Sequence, residues 1–332
     1  MPSGSSKSSK PKPSEVASET KKYYIPLIKK LDHFQVHSYA FPQPLSQCIF
    51  NDRPLDLSPP KFYVNQGDPV DCALNWATAE NIRIPFICAA NDKRAGGDWE
   101  TGVLGYEERL CRRSTLAYNL VTPGPGSTGG IEHYPIPTYG AIVSNDVVVF
   151  RGPHDRYEKL PETQWRALPV ISVTPTRWPK LTQNGTKYSF LDERELVRDK
   201  MRAALRVCAY YNFTHLVIGD FGLGNGYRNP PQEFAELWRE VFLYDPELRG
   251  RIRAVAFVFE DPTQSTSQLI QDDIAKKSSK SKGSGSSSSS RSSSSAFPTD
   301  YQIFQNVFHD HEIKRVIGQP DSRYGLQTIL GP

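Results

Sequence analysis

Short apolar runs separated by polar turns recur along the chain and predict buried strands. Longer stretches with an apolar residue at every third or fourth position predict amphipathic helices, most clearly at 191–211. Strands and helices alternate, which is typical of an α/β fold. The predicted strands are 61–65, 84–89, 168–173, 215–219 and 252–259, and the predicted helices are 69–80, 105–120, 191–211 and 232–242.

Three segments depart from this alternation. Residues 121–138 carry four prolines and several glycines, which predicts a loop that could lie over a pocket. Asn145-Asp146 predicts a turn between two strands, 139–144 and 147–151. Residues 23–46 have aromatic and aliphatic side chains at partly helical spacing, which indicates a helix or an extended arm laid on the core.

Composition divides the chain into folded and polar parts. Residues 1–22 and 276–295 are rich in Ser and Lys and are too polar to pack, which predicts a disordered tail and a disordered insert. Residues 23–275 then form one domain, and residues 296–332 return to it as a closing helix over 297–317. Arg109, Arg112 and Arg113, on the predicted helix 105–120, are expected to face water or to pair with acids.

Charge and cysteine content exclude several classes of function. The net charge is +4, but residues 1–22 hold +3 and residues 276–295 hold +5, which leaves −4 for the rest. A broad basic face for nucleic acid is therefore not expected, although the basic tails could touch nucleic acid or serve as a nuclear address. The five cysteines lack Cys-x-x-Cys spacing, so neither a disulfide framework nor a zinc cluster is indicated, and no metal or cofactor is expected. No apolar run suits a membrane span or a signal peptide, so an intracellular protein of the nucleus or cytoplasm is expected.

A first loop, residues 94–110, has the composition of a ligand-binding turn. Gly96 and Gly97 leave the backbone bare, so a ligand could approach it closely. Glu107 and Glu108 then open a helix, where paired acids often do no more than favour the helix dipole. Because successive helical side chains diverge by about 100°, the two acids cannot do the same job.

A second glycine-rich loop, residues 219–231, lies between a predicted strand and a predicted helix. A glycine-rich turn by itself is weak evidence for phosphate binding. In this context, however, backbone amides and a helix N-terminus could hold a pyrophosphate without a basic cluster.

In the first loop the sequence resembles the microbial-type poly(ADP-ribose) glycohydrolases, a branch of the macrodomain superfamily that binds ADP-ribose. Their signature is three glycines, six to eight residues, and then Gln-Glu-Glu. The resemblance implies that Glu108 is the catalytic acid and that Glu107 holds a ribose. Asp98 stands where the third glycine would lie, close to the pyrophosphate, and Tyr106 replaces the glutamine, as in a divergent, fungal-like branch.

The resemblance extends to the second loop, where Leu223 replaces a cysteine and Asn225-Gly226 adds a residue. Tyr227 takes the position of the aromatic residue that stacks on the nucleoside. The stretch from Asn145 to Arg151 also fits the family. The ligand-binding residues that the resemblance implies are Asn91, Gly96, Gly97, Asp98, Tyr106, Phe221, Gly222, Leu223, Gly224, Asn225, Gly226, Tyr227 and Asn229.

The fold implied is a macrodomain-like three-layer α/β/α arrangement with a mixed central sheet, in which both loops meet at one sheet edge. The implied activity is hydrolysis of ribose–ribose O-glycosidic bonds in poly(ADP-ribose), releasing ADP-ribose, with ADP-ribosylated proteins as partners and no membrane. Three alternatives stay open. They are a reader that binds ADP-ribose without hydrolysis, a hydrolase of single ADP-ribose units on protein or nucleic acid, and a scaffold that works through its basic tails.

Overall fold

The computed structural model describes residues 10–50, 55–127, 133–281 and 297–318. The strands in these ranges are β1 Ser38–Phe41, β2 Lys61–Gln66, β3 Phe86–Ala89, β4 Ala141–Val149, β5 Arg166–Val173, β6 His215–Ile218 and β7 Ala254–Phe259. The helices are α1 Pro13–Glu19, α2 Ile25–Ile28, α3 Pro44–Gln47, α4 Pro69–Glu80, α5 Tyr106–Arg113, α6 Leu116–Asn119, α7 Leu191–Tyr210, α8 Pro231–Tyr244, α9 Thr266–Ser281, α10 Asp300–Val307 and α11 Asp310–Ile317.

The chain divides into two compact units. The first comprises the described parts of 1–50, 70–175 and 203–213. Its strands lie in the order β1-β4-β5-β3, with β4 antiparallel to both of its neighbours and β5 parallel to β3. β3 is buried along its whole length. An aromatic cluster of Tyr24, Phe150 and Trp165, with Ile28 and Val148, joins the N-terminal helices to β4.

The second unit comprises the described parts of 51–69, 176–202 and 214–332. β7 pairs in parallel with β6 on one side and with β2 on the other. All six residues of β7 are buried, as expected of a central parallel strand covered by helices. Phe257 of β7 packs against Trp238 of α8 and against Phe304 and Phe308, which α10 brings to the strand.

The predicted α/β class and the mixed sheet are confirmed. Each predicted strand of the first paragraph overlaps an observed strand, and α7 begins at the residue that the apolar spacing indicated. The four predicted helices also occur, but 105–120 is divided into α5 and α6. Ser114 is extended there because it bridges to Val149 of β4, which interrupts the helical hydrogen bonding.

The predicted turn at Asn145-Asp146 is wrong. β4 runs through both residues as one strand, because its two halves both pair with β5 and the register shifts between Ser144 and Val147. The irregularity is a bulge, and it turns Asp146 outward to accept hydrogen bonds from the Gln35 amide and from Arg83.

Segment boundaries also need correction. Residues 13–22, predicted to belong to a disordered tail, are helical because Val16, Ala17 and Thr20 form a buried face despite the polar composition. Helix α9 continues to Ser281, into the predicted insert, and the predicted closing helix is two helices, α10 and α11, separated at 308–309. The predictions for 1–9, 282–296 and 319–332 lie outside the described residues. No helix in the described ranges is both long and apolar enough to cross a bilayer.

Candidate active site

Glu108 lies at the N-terminus of α5 with its carboxylate turned back onto the first loop. Its Oε1 accepts a hydrogen bond from the Asp98 amide at 3.3 Å. A Cβ added to Gly97 or to Gly105 would lie closer to this carboxylate than the 3.0 Å that real Cβ atoms keep from their neighbours. The two glycines therefore provide the space that the Glu108 carboxylate fills.

Glu107 has different surroundings. It is only 2% exposed, and its Oε2 accepts a hydrogen bond from the Asn91 amide at 2.8 Å. The hydroxyl of Tyr134 faces the same carboxylate, and burial followed by the Glu107 charge raises the pKa of Tyr134 far above its usual range. Glu107 is thus fixed within the protein, whereas Glu108 is half-buried at the loop surface.

Asp98 does not project toward Glu108. Its carboxylate is 41% exposed and forms an ion pair with Arg94, four residues earlier in the sequence. Only the Asp98 backbone contacts Glu108, through the amide. The side chain that stands in place of a third glycine is therefore directed to the surface of the first unit, with its charge compensated.

Tyr106 is half-buried and adjoins the acids. The guanidinium of Arg109 lies over its ring at 4.4 Å and also contacts the imidazole of His154, with 3.2 Å between Nη1 and Nε2. Where a glutamine would place an amide, this site therefore has the Tyr106 ring, covered by the guanidinium cation of Arg109.

A buried arginine holds the first loop in place. Arg112 of α5 is fully buried and donates from Nε to the Trp99 carbonyl at 2.8 Å and from Nη2 to the Thr101 carbonyl at 3.0 Å and to the Val103 carbonyl. The sequence-based expectation that Arg112 faces water or pairs with an acid is therefore wrong. Arg113 does pair with an acid, Asp71, at 2.7 Å.

Two thiols lie beneath the loop. Cys111 Sγ would be 2.9 Å from a Cβ on Gly96, so only glycine fits there. Burial, followed by the charge of Glu107, raises the pKa of both Cys88 and Cys111, which keeps them as neutral thiols. They pack as small apolar groups. In the described part of the chain no group of three or more His, Cys, Asp or Glu residues is arranged to hold a metal ion.

The proline-rich segment after residue 132 reaches the acids from a distance in sequence. The Ile136 amide donates to the Asp92 carbonyl at 2.8 Å, which places Tyr134 against Glu107. The sequence predicted a loop that could cover a pocket but gave no sign that its tyrosine would contact a site acid. Residues 128–132 of the predicted loop lie outside the described residues.

The second loop, in the second unit, is tightly packed at two of its glycines. Gly222 and Gly224 have φ of +74° and +77°, and a Cβ would lie 2.7 Å from Phe234 at the first and 2.6 Å from Gln264 at the second. Asn225 and Gly226 are exposed. The amides of Asn225 and Gly226 donate to no acceptor in the described part of the chain, so they are available to a ligand anion.

Several residues predicted to bind ligand also hold this loop together through their side chains. Asn229 is fully buried; its amide donates to the Thr176 and Gly222 carbonyls at 2.9 and 2.8 Å, and its oxygen accepts from the Tyr188 hydroxyl. The side chains of Phe221 and Leu223 lie in the core. Contact of these residues with a ligand would therefore come from the backbone.

The amide of Gly224 is also engaged within the protein. It donates to Thr266 Oγ1 at 2.8 Å, and that hydroxyl donates to Asp300 Oδ2 at 2.6 Å. Burial raises the pKa of Asp300, although its hydrogen bonds to Thr266 act in the opposite direction. The sequence did not predict this support of Gly224 by Thr266 and Asp300, because Asp300 is far from the loop in the chain.

Tyr227 and Arg228 complete the loop. Tyr227 is only 9% exposed, and the guanidinium of Arg177 lies over its ring at 5.3 Å. Arg228 donates to Asp273 at 2.7 Å and to the Gly224 carbonyl at 3.1 Å. Arg228 also has φ of +64°, an uncommon conformation for a residue with a side chain.

The model of the family described as microbial-type PARG, catalytic domain, matches residues 15–152, a stretch that contains the first loop and ends before the second. No curated protein sequence matches the chain. Among solved structures, the chain is similar to the poly(ADP-ribose) glycohydrolase (PARG) from Thermomonospora curvata, with 17% identity and a TM-score of 0.60 over 79% of this chain and 98% of that one.

It is also similar to that glycohydrolase bound to the inhibitor ADP-HPD, with 18% identity and a TM-score of 0.58 over 80% of this chain and 98% of that one. The glycohydrolase from Deinococcus radiodurans in complex with ADP-ribose is 21% identical, with a TM-score of 0.52 over 72% of this chain and 94% of that one. These likenesses confirm the predicted fold. The match to the family model covers less than half of the chain.

Proposed function

We propose that this protein is a glycoside hydrolase that cleaves the ribose–ribose bonds of poly(ADP-ribose) and releases ADP-ribose. The observation that carries the proposal is the placement of Glu108: its carboxylate fills the space above Gly97 and Gly105, at the half-buried N-terminus of α5. The family match at residues 15–152 and the fold shared with two bacterial glycohydrolases support the same conclusion.

The chemistry follows from the separate surroundings of the two acids. A protonated Glu108 donates its proton to the departing ribose oxygen as the glycosidic carbon gains oxocarbenium character, and the resulting carboxylate then activates water. Glu107, fixed by the Asn91 amide, holds ribose hydroxyls and keeps the sugar oriented toward Glu108.

The second loop is assigned to the anionic and nucleoside parts of ADP-ribose. The exposed amides of Asn225 and Gly226 would donate to diphosphate oxygens, and Tyr227 would contact the nucleoside. This arrangement supports the binding of an anionic ligand by a chain whose charge outside its two basic segments is −4.

The test compares the Glu108→Gln and Glu100→Gln variants with protein-attached poly(ADP-ribose) as the substrate. The measured quantity is the ADP-ribose released. Glu100 is an exposed acid of the same loop that pairs with Lys21 at 2.9 Å, so it is a matched control. We expect Glu108→Gln to lose at least a hundredfold in turnover while it still binds ADP-ribose, and Glu100→Gln to behave as wild type.

The rival functions predict other results. A reader would bind ADP-ribose but release none from the polymer, even as the wild-type protein. A hydrolase of single units would act on a mono-ADP-ribosylated peptide and leave the polymer intact. A scaffold that works through its basic tails would neither bind free ADP-ribose nor hydrolyse the polymer.

A further inference from the structure

Trp178 is a large aromatic residue held at the surface in an unfavourable backbone conformation. Its side chain is 57% exposed, and its φ is +52°. A bulky residue in the left-handed region is strained, and such strain persists only where the surroundings impose it. The conformation that exposes the Trp178 indole is therefore imposed by its neighbours.

The surroundings that impose this conformation belong to the second loop. The Trp178 amide donates to the Tyr227 carbonyl at 2.7 Å, and two residues earlier the Thr176 carbonyl accepts from the Asn229 side chain at 2.9 Å. The guanidinium of Arg228 lies over the indole at 4.8 Å. The loop assigned to the diphosphate thus also fixes the position of Trp178.

A positive charge accompanies the indole. Arg177 is exposed, and no carboxylate of the described chain lies within ion-pair distance of its guanidinium, which extends over the Tyr227 ring. Indole faces stack on purines, and guanidinium groups bind phosphate oxygens in a bidentate manner. A ligand with a purine and a phosphate close together would satisfy both groups.

We infer that Trp178 and Arg177 form a subsite for a second ADP-ribose unit of the polymer. This inference rests on the proposed function. Its adenine stacks on Trp178, and its diphosphate contacts Arg177. Because Tyr227 is almost fully buried and Trp178 is largely exposed, the Trp178 ring is open to a part of the polymer other than the nucleoside assigned to Tyr227. The subsite makes the protein selective for polymer over a single unit.

The experiment measures binding in a Glu108→Gln background, so that ligands are not hydrolysed. Free ADP-ribose and a purified oligomer of about ten units are titrated against Trp178→Ala, Trp178→Phe and Tyr23→Ala. Tyr23 is equally exposed, at 57%, and belongs to the N-terminal segment, so it controls for loss of a surface aromatic residue. Thermal unfolding of each variant verifies the fold.

We expect Trp178→Ala to weaken oligomer binding about tenfold and to leave binding of free ADP-ribose unchanged. Trp178→Phe should recover most of the oligomer affinity, and Tyr23→Ala should have no effect. Equal weakening for both ligands, or no weakening for either, overturns the subsite. A different result would overturn the proposed function: the Glu108→Gln protein binds ADP-ribose, but the wild-type protein hydrolyses no polymer. Failure of the subsite and failure of the proposed function are thereby distinguished.

Discussion

Glu108 lies against two glycines that differ in backbone conformation. Gly97 has φ of +55°, so any side chain there adds strain to the steric conflict, whereas Gly105 has φ of −66°, which alanine adopts freely. Gly105→Ala is therefore the cleaner perturbation, because its Cβ conflicts with the Glu108 carboxylate alone among its neighbours.

We predict that Gly105→Ala lowers turnover of the polymer about a hundredfold, since displacement of a catalytic group by about 1 Å has effects of that size. Stability should fall by only about 0.5–1 kcal/mol, because alanine is a poorer N-cap than glycine. Gly102→Ala is the control: its Cβ would meet no atom within 4 Å, and its turnover should match wild type. Turnover of Gly105→Ala within twofold of wild type would show that the position of Glu108 is not critical.

At the scale of elements, helix α5 and the first loop are joined by one buried guanidinium. Replacing Arg112 with methionine keeps its apolar volume but leaves the carbonyls of Trp99, Thr101 and Val103 without their donor. We predict a loss of about 2–4 kcal/mol in the free energy of unfolding, measured by urea denaturation. Arg166→Met, which removes an exposed arginine bonded to Asn75, should change it by less than about 0.5 kcal/mol. Similar losses in both variants would contradict the role of Arg112.

Helix α1 contributes a pH-dependent contact to the same unit. Glu19 accepts hydrogen bonds from the buried Arg151 at 2.7 Å and from Lys159 at 2.6 Å. Burial acts to raise the pKa of Glu19, but the two cations outweigh it, and the pKa is lowered from its usual 4.5. The folded state therefore favours the ionised carboxylate. Its stabilisation is present above pH 4.5 and is lost as the pH falls through the lowered pKa of the folded state.

We predict that Glu19→Gln is less stable than wild type by about 1–2 kcal/mol at pH 7, since Glu19 itself is partly exposed to solvent. The difference should shrink as the pH falls below 4.5, where wild type also loses the charge. Glu15→Gln, on the same helix but with an exposed partner in Lys12, should match wild type at every pH. A difference between Glu19→Gln and wild type that is constant with pH would show that the charge is not the stabilising feature.

For the whole molecule, the sequence predicted those features that depend on the local pattern of apolar, polar and glycine residues. Apolar runs indicated the strands, and the spacing of Gly96 and Gly97 from Glu107 and Glu108 indicated a loop and helix that the structure brings together. Contacts between distant segments were not predictable in this way. The helix break at Ser114 requires its bridge to β4, and the buried role of Arg112 requires a loop folded over α5.

The same limit applies to the candidate site. Tyr134 reaches Glu107 only because a proline-rich segment docks on Asp92, and Trp178 is fixed only because its segment hydrogen-bonds to the second loop. Neither residue stands in a motif. The helix over 13–22 was missed for a different reason: the composition of the segment is polar, and only three of its side chains form the buried face.

The distribution of charge over the molecule leads to a prediction about salt. Polymer held by loop amides and one or two arginines releases few counterions, so the Michaelis constant for polymer should rise less than about tenfold between 50 and 200 mM salt. A chain that binds through its basic segments would instead show a rise of about a thousandfold. Serine substitution of the five basic residues in 276–295 should leave turnover and this salt dependence unchanged. A steep dependence that disappears in the substituted protein would assign polymer binding to that segment rather than to the loops.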